Sequence, residues 1–208
     1  MNISEPLFLE LAGLPASGKT TTASLLKTQL SRCGLRCIVV SEAGERSPIP
    51  HLKTDWQFNA WTLCQTVASV VEHQANKNND IVILDKGLVD ALCWIRWFRS
   101  RNKIDAVTAT ALESFAQVPA WFSCATVTVV LRVQFQTAFR RHGGQGRIMN
   151  AGTFTELRQA YDATIAKLLE REPGCATVID TDQRTPDQVL AIVIDRLAGC
   201  LPQLRSLI

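Results

Sequence analysis

Five short runs rich in apolar and β-branched residues, at 7–11, 36–41, 81–84, 127–131 and 177–179, punctuate this chain of 208 residues. Each is too short for a helix and reads as a buried strand. The stretches between them are longer and carry apolar residues at helical spacing, as in Leu25, Leu26 and Leu30, or Phe154, Leu157, Tyr161, Ile165 and Leu168. Strands that alternate with helices imply a parallel sheet covered on both faces, because each crossover helix returns the chain to the same end of the sheet. The expectation is an α/β fold, a three-layer sandwich with five parallel strands between helices. No repeat, low-complexity tract or interdomain linker interrupts the alternation, and residues 1–208 read as a single domain.

Helix-boundary residues agree with this phasing. Thr153 followed by Glu156 reads as a capping box, and Thr185, Pro186 and Gln188 read as a second one with proline at the first helical position. Gly34 closes the first helix shortly before the second strand. A chain of this length can bury a core without disulfides or metal. With 47% hydrophobic and 20% charged residues, it is too apolar to be disordered. Seven cysteines, Cys33, Cys37, Cys64, Cys93, Cys124, Cys175 and Cys200, form no CxxC pair and read as reduced core residues of a cytoplasmic protein. The start of the chain passes into an apolar strand at Leu7 without a basic leader, and no run of about 18 apolar residues offers a membrane span.

The strongest local signal follows the first run. Gly13-Leu14-Pro15-Ala16-Ser17-Gly18-Lys19-Thr20 matches G-x-x-x-x-G-K-[ST] in full, between a strand and a helix as that motif requires. Glycines at both ends let successive N–H groups of Ala16, Ser17, Gly18, Lys19, Thr20 and Thr21 turn toward phosphate oxygens at a helix N-terminus. Lys19 is expected to neutralise charge on the β and γ phosphates, and Thr20 to hold magnesium through its hydroxyl. The expected cofactors are ATP and Mg2+. The third run delivers Asp85 to the carboxyl edge of the sheet, where open parallel sheets bind ligands. There it could order magnesium through water, accept a proton from an acceptor hydroxyl, or simply cap the following helix.

The second run leads into Ser41-Glu42-Ala43-Gly44-Glu45-Arg46, which belongs at that same edge. Glu42 suits a general base and Arg46 suits an anionic acceptor, so neutral and phosphorylated acceptors both stay open. Asp90 falls in the first turn of the next helix, where a carboxylate complements the dipole. Net charge is +3, and the arginines gather around residues 132 to 158, which favours a local anion site over a nucleic-acid surface. Among them, Arg140-Arg141-His142-Gly143-Gly144-Gln145-Gly146-Arg147 combines cations with three glycines. It reads as a lid, about 140–152, with Arg147 placed to meet charge on a transferring phosphoryl group. His51, His73 and His142 share no ligand spacing, so no structural zinc is expected.

On these residues the chain resembles the thymidylate kinase and deoxynucleoside kinase group of P-loop kinases. The matching positions are Gly13 to Thr20, Glu42, the Asp85-Lys86-Gly87 turn, the lid from Arg140 to Arg147, and Ile179-Asp180-Thr181-Asp182, which looks like that group's adenine-side loop. The resemblance implies a P-loop NTPase sheet in the order 2-3-1-4-5, phosphoryl transfer from ATP to a nucleoside or nucleotide, and nucleotide contacts from Arg140 and Asp182. It also implies that the helix at 55–74 lines the acceptor pocket, so that Trp56 or Trp61 stacks on a flat acceptor or else packs in the core. Lys86 stands where the group carries arginine, which removes the planar fork that engages two oxygens. Three rival readings keep the loop: a regulatory or motor-like P-loop NTPase that hydrolyses nucleotide to drive a partner, a non-catalytic nucleotide-binding module, against which Lys19, Thr20 and Asp85 together argue, and a kinase of an antibiotic, sugar or coenzyme precursor. A homodimer is left open, and nucleic acid and membrane partners are not expected.

Overall fold

The computed structural model describes residues 5–123, 127–143 and 150–200. Residues 144–149 of the expected lid, Arg147 among them, and Cys124 lie outside them. In chain order the elements are β1 (Leu7–Gly13), α1 (Lys19–Arg32), β2 (Cys37–Val40), 3-10 turns at Ala43–Arg46 and Pro50–Leu52, α2 (Trp56–Ala75), β3 (Ile81–Asp85), α3 (Leu88–Ser100), α4 (Ala106–Ala116), α5 (Pro119–Phe122), β4 (Val127–Arg132), α6 (Phe135–Arg141), α7 (Ala151–Arg171), β5 (Ala176–Asp180) and α8 (Pro186–Cys200). The strands form one five-stranded sheet in the order β2-β3-β1-β4-β5, and every neighbouring pair runs parallel.

Side chains alternate across a strand, so β1 feeds two layers. Leu7, Leu9 and Leu11 pack with Ala23, Leu26 and Leu30 of α1 and with Val189, Val193 and Leu197 of α8. On the other face, Phe8 meets Val70 of α2, and Ala12 joins the cluster built from α3 and α7. Each fully buried leucine contributes roughly 1.5–3 kcal/mol, so the helices are held to the sheet mainly by apolar burial. The same parity positions the polar residues. Glu10 shares a face with Phe8 and Ala12 and points to the α3 side, while Asp85 shares a face with Ile81 and Ile83 and points to α1.

Several local expectations change. The first strand continues through Gly13, two residues past the apolar run, and β2 is confined to four residues. The capping box assigned to Thr153 is overturned: α7 starts earlier, and the side chain of Asn150 accepts from the Thr153 N–H at 2.9 Å. Asparagine satisfies the orphan amides of a first turn as well as threonine does, and it comes first along the chain. The second box is present, because Thr185 N–H donates to Gln188 Oε1 at 2.9 Å and Gln188 N–H donates to Thr185 Oγ1 at 3.3 Å. Gly34, at φ +78°, ends α1 with bonds from its own N–H to Ser31 and from the Leu35 N–H to Leu30. The reading of the cysteines as core residues also needs correction. Cys93 is buried, but Cys64 is exposed and Cys33, Cys37 and Cys175 are half-buried.

Candidate active site

The carboxyl ends of β1, β2 and β3 converge on one edge. Gly13 ends β1 at φ +145°, and a Cβ there would lie 2.2 Å from the Leu131 carbonyl oxygen on β4. Only glycine lets the loop leave the strand so close to its neighbour. Ala16 and Gly18 also take positive φ, and Gly18 precedes the first residue of α1. Lys19 is folded inward, its Nζ donating to the carbonyls of Gly13 and Leu14 at 2.9 Å each. It is 7% exposed, and burial, together with the nearby Lys86 charge, holds its pKa below the usual lysine value. Ser17 Oγ is buried and has no hydrogen-bond partner among the described residues.

Thr20 and Asp85 meet across the helix–sheet contact, the threonine hydroxyl donating to Asp85 Oδ2 at 2.6 Å. Burial raises the Asp85 pKa, against the lowering effects of the Thr20 bond and the Lys19 charge. Beside them Lys86 adopts φ +68°, and its Nζ donates to Glu42 Oε1, just past the end of β2, at 2.5 Å. Burial works against both charges of that pair. Coulombic attraction outweighs it, so the Glu42 pKa is lowered and the Lys86 pKa is raised. This pair forms one wall of a cavity of about 80 Å3 whose other walls are Phe58, Asn59 and Thr62 of α2 and Asp90, Trp94 and Phe98 of α3. Small-molecule sites commonly offer roughly 300–1,000 Å3, so this is a narrow cavity.

Most of the residues singled out by sequence meet here, with exceptions. Trp56 and Trp61 are half-buried and take no part in the cavity wall, where Phe58 and Trp94 supply the aromatic faces. Arg46 is exposed at the end of its 3-10 turn. Arg140 donates to Thr137 Oγ1 on its own helix. Its neighbour Arg141 is the one that touches the phosphate loop, donating to the Ala16 carbonyl at 3.3 Å and to both the hydroxyl and the carbonyl of Thr181. Asp182 accepts from the Gln134 N–H at the start of α6. Thr21 is exposed.

Glu10 was not singled out. It is fully buried, and its carboxylate accepts from the N–H groups of Val89 at 3.1 Å and Asp90 at 2.8 Å, capping α3 from the central strand. Burial and the neighbouring Asp90 charge push its pKa up to about 7, in spite of those backbone bonds. A charged residue inside an apolar run was the available signal, since such a residue is almost never fully buried without a partner.

A family model described as "Chromatin associated protein KTI12" matches residues 6–99. No curated protein sequence matches the chain. Among solved structures, deoxyadenosine kinase from M. mycoides with bound dCTP superposes with a TM-score of 0.70 at 16% identity, covering 92% of this chain and 99% of that one. The same enzyme with products dCMP and a flexible dCDP gives 0.72 at 16% identity with the same coverage. Thymidylate kinase from Candida albicans gives 0.66 at 15% identity, covering 96% of this chain and 94% of that one. The chain therefore has the P-loop kinase fold that those enzymes share.

Proposed function

We propose that this protein is a cytoplasmic phosphotransferase that uses magnesium ATP to phosphorylate a small acceptor, a nucleoside, a nucleotide or a compound of that shape. The observation that carries the reading is the 2.6 Å contact of Thr20 with Asp85, set at the same strand edge as the Glu42–Lys86 pair that walls the adjoining cavity. One half of this arrangement suits a nucleotide and the other half suits an acceptor.

The residues present fit the two cofactors. Ser17 Oγ is a buried polar atom without a partner among the described residues, and an oxygen-rich ligand would give it one. Thr20 and Asp85 offer the oxygen donors that magnesium prefers. No cluster of three or more His, Cys, Asp or Glu among the described residues could hold a metal by itself, so the protein would contribute one or two oxygens, as is usual for magnesium bound with phosphates. ATP with magnesium supplies the transferable phosphoryl group. Lys19 would exchange its carbonyl partners for phosphate oxygens. Arg140, Arg147 and Asp182 are proposed for the nucleotide side, and Arg46, Trp56 and Trp61 for the mouth of the acceptor side.

Glu42 is the better base of the two candidate acids. Each acid has one oxygen engaged, Asp85 Oδ2 by Thr20 and Glu42 Oε1 by Lys86, but Glu42 lines the cavity and Asp85 does not, and Lys86 keeps Glu42 ionised. An ionised carboxylate in reach of a hydroxyl can take its proton. The solved relatives' names support nucleosides and nucleotides as the first acceptors to try. A screen of nucleosides, nucleoside monophosphates and other small alcohols for acceptor-dependent ADP formation tests the proposal. The rate of ADP release should be low alone and rise with the true acceptor. The family-model match to residues 6–99 favours a second reading, a P-loop NTPase that serves a partner instead of an acceptor. Equal ATP consumption with and without every acceptor would select it.

A further inference from the structure

Asp90 serves neither the phosphate loop nor the acceptor cavity alone. It is 2% exposed, and its Oδ1 accepts two hydrogen bonds, from the Gly13 backbone N–H at 3.1 Å and from the Tyr161 hydroxyl at 2.6 Å. Gly13 opens the phosphate loop and Tyr161 lies in the middle of α7. Asp90 also lines the acceptor cavity. One carboxylate oxygen thus joins three parts of the molecule.

A helix-capping role does not account for it, since Glu10 already receives the first amides of α3. Packing does not account for it either. A buried carboxylate carries a desolvation cost that an apolar pair between α3 and α7 would avoid. What an apolar pair could not do is hold the Gly13 N–H.

We propose that Asp90 is a positioning residue for the nucleotide site, anchoring Gly13 so that the phosphate loop keeps its binding shape, and that Tyr161 makes this anchor depend on the placement of α7. The inference rests on the reading that the loop binds nucleotide. A loop held in its bound shape beforehand loses less freedom when phosphate arrives, so releasing the anchor weakens binding without removing any phosphate contact.

The test is ADP affinity by titration calorimetry, with thermal unfolding in parallel, for the full chain and for Tyr161→Phe, Asp90→Ala, their combination and Asp90→Asn. Tyr161→Phe should weaken ADP binding by about 10-fold, the upper end of what one hydrogen bond contributes. Asp90→Ala should weaken it further, and Tyr161→Phe should add nothing in the Asp90→Ala background. Asp90→Asn, whose amide oxygen still accepts from Gly13, should recover part of the loss. Lower unfolding temperatures with unchanged ADP affinity, or additive effects in the combined variant, would overturn the coupling. If the unaltered chain binds no ADP, the nucleotide reading falls and the coupling falls with it. If it binds and Tyr161→Phe binds equally well, the coupling falls alone.

Discussion

Lys19 directs Nζ at two carbonyls of its own loop, which fixes where its charge sits in that loop. Removing it should leave that loop folded, because the glycines and the Gly13 anchor shape the backbone. Lys19→Ala is expected to abolish acceptor-dependent ADP formation while unfolding at nearly the same temperature. Turnover close to normal at saturating ATP would remove the proposed chemistry. The Glu42–Lys86 pair gives a sharper result. Burial alone would raise the Glu42 pKa, and the charge and hydrogen bond of Lys86 reverse that. With Lys86→Met, burial dominates, Glu42 holds its proton to higher pH, and the acid limb of the kcat–pH profile should move upward. Lys86→Arg should keep the limb low. An acid limb that stays in place for Lys86→Met would remove Glu42 as the base.

At the scale of elements, the starts of helices and the ends of strands set the site. Gly13→Ala forces a Cβ to within 2.2 Å of the Leu131 oxygen at an unfavourable φ, so β1 and β4 must separate where the loop begins. This variant should lose both stability and ADP affinity, measured by urea unfolding and calorimetry. Asn150→Ala should cost about 1 kcal/mol by the same unfolding assay, and Thr153→Ala less, because Asn150 makes the cap. The reverse order would restore the capping box at Thr153. Contiguous signals of this kind were legible beforehand. The phosphate loop, Gly34 and the Thr185–Gln188 box are each written in a few contiguous residues, and Asp85 shows as the residue that ends the third apolar run, although its partner Thr20 is 65 positions away. Legibility failed where partners are distant or where a helix turns. Spacing shows that α2 has an apolar face, but not that Phe58 rather than Trp56 or Trp61 looks into the cavity. Arg140 and Arg141 adjoin in sequence, and only the packing of α6 decides that Arg141 reaches Ala16.

For the whole molecule, the most consequential residue beyond reach of local pattern is Glu10, whose partners lie 79 and 80 positions away. It sits at the centre of the sheet and caps the helix that walls the cavity beside Glu42. Gly87 is required beside it, since a Cβ there would come within 2.4 Å of its carboxyl carbon. Its pKa rises from 4.5 to about 7 on folding, so between those values the native chain keeps a proton that the unfolded chain releases. Stability then falls as pH rises across that window, because the unfolded state binds fewer protons. Asp85, also raised by burial, adds to the same trend. Asp80, which accepts from the Arg36 guanidinium at 2.7 Å just before β3, has its pKa lowered by that bond, and Lys86 lowers that of Glu42; their stabilisation is present above the ordinary carboxylate range and lost as pH drops below it. The two trends together put the stability maximum on the mildly acidic side of neutrality. Urea unfolding at intervals from pH 4.5 to 7.5 should show a decline on the order of 2–3 kcal/mol from Glu10, because a tenfold change in proton affinity is worth about 1.4 kcal/mol. Glu10→Gln imitates the protonated form, so it should flatten most of that decline, leaving the smaller part due to Asp85. A variant whose stability fell with pH as steeply as that of the unaltered chain would mean that Glu10 is ionised throughout, held by the two amides of α3 against the cost of its burial.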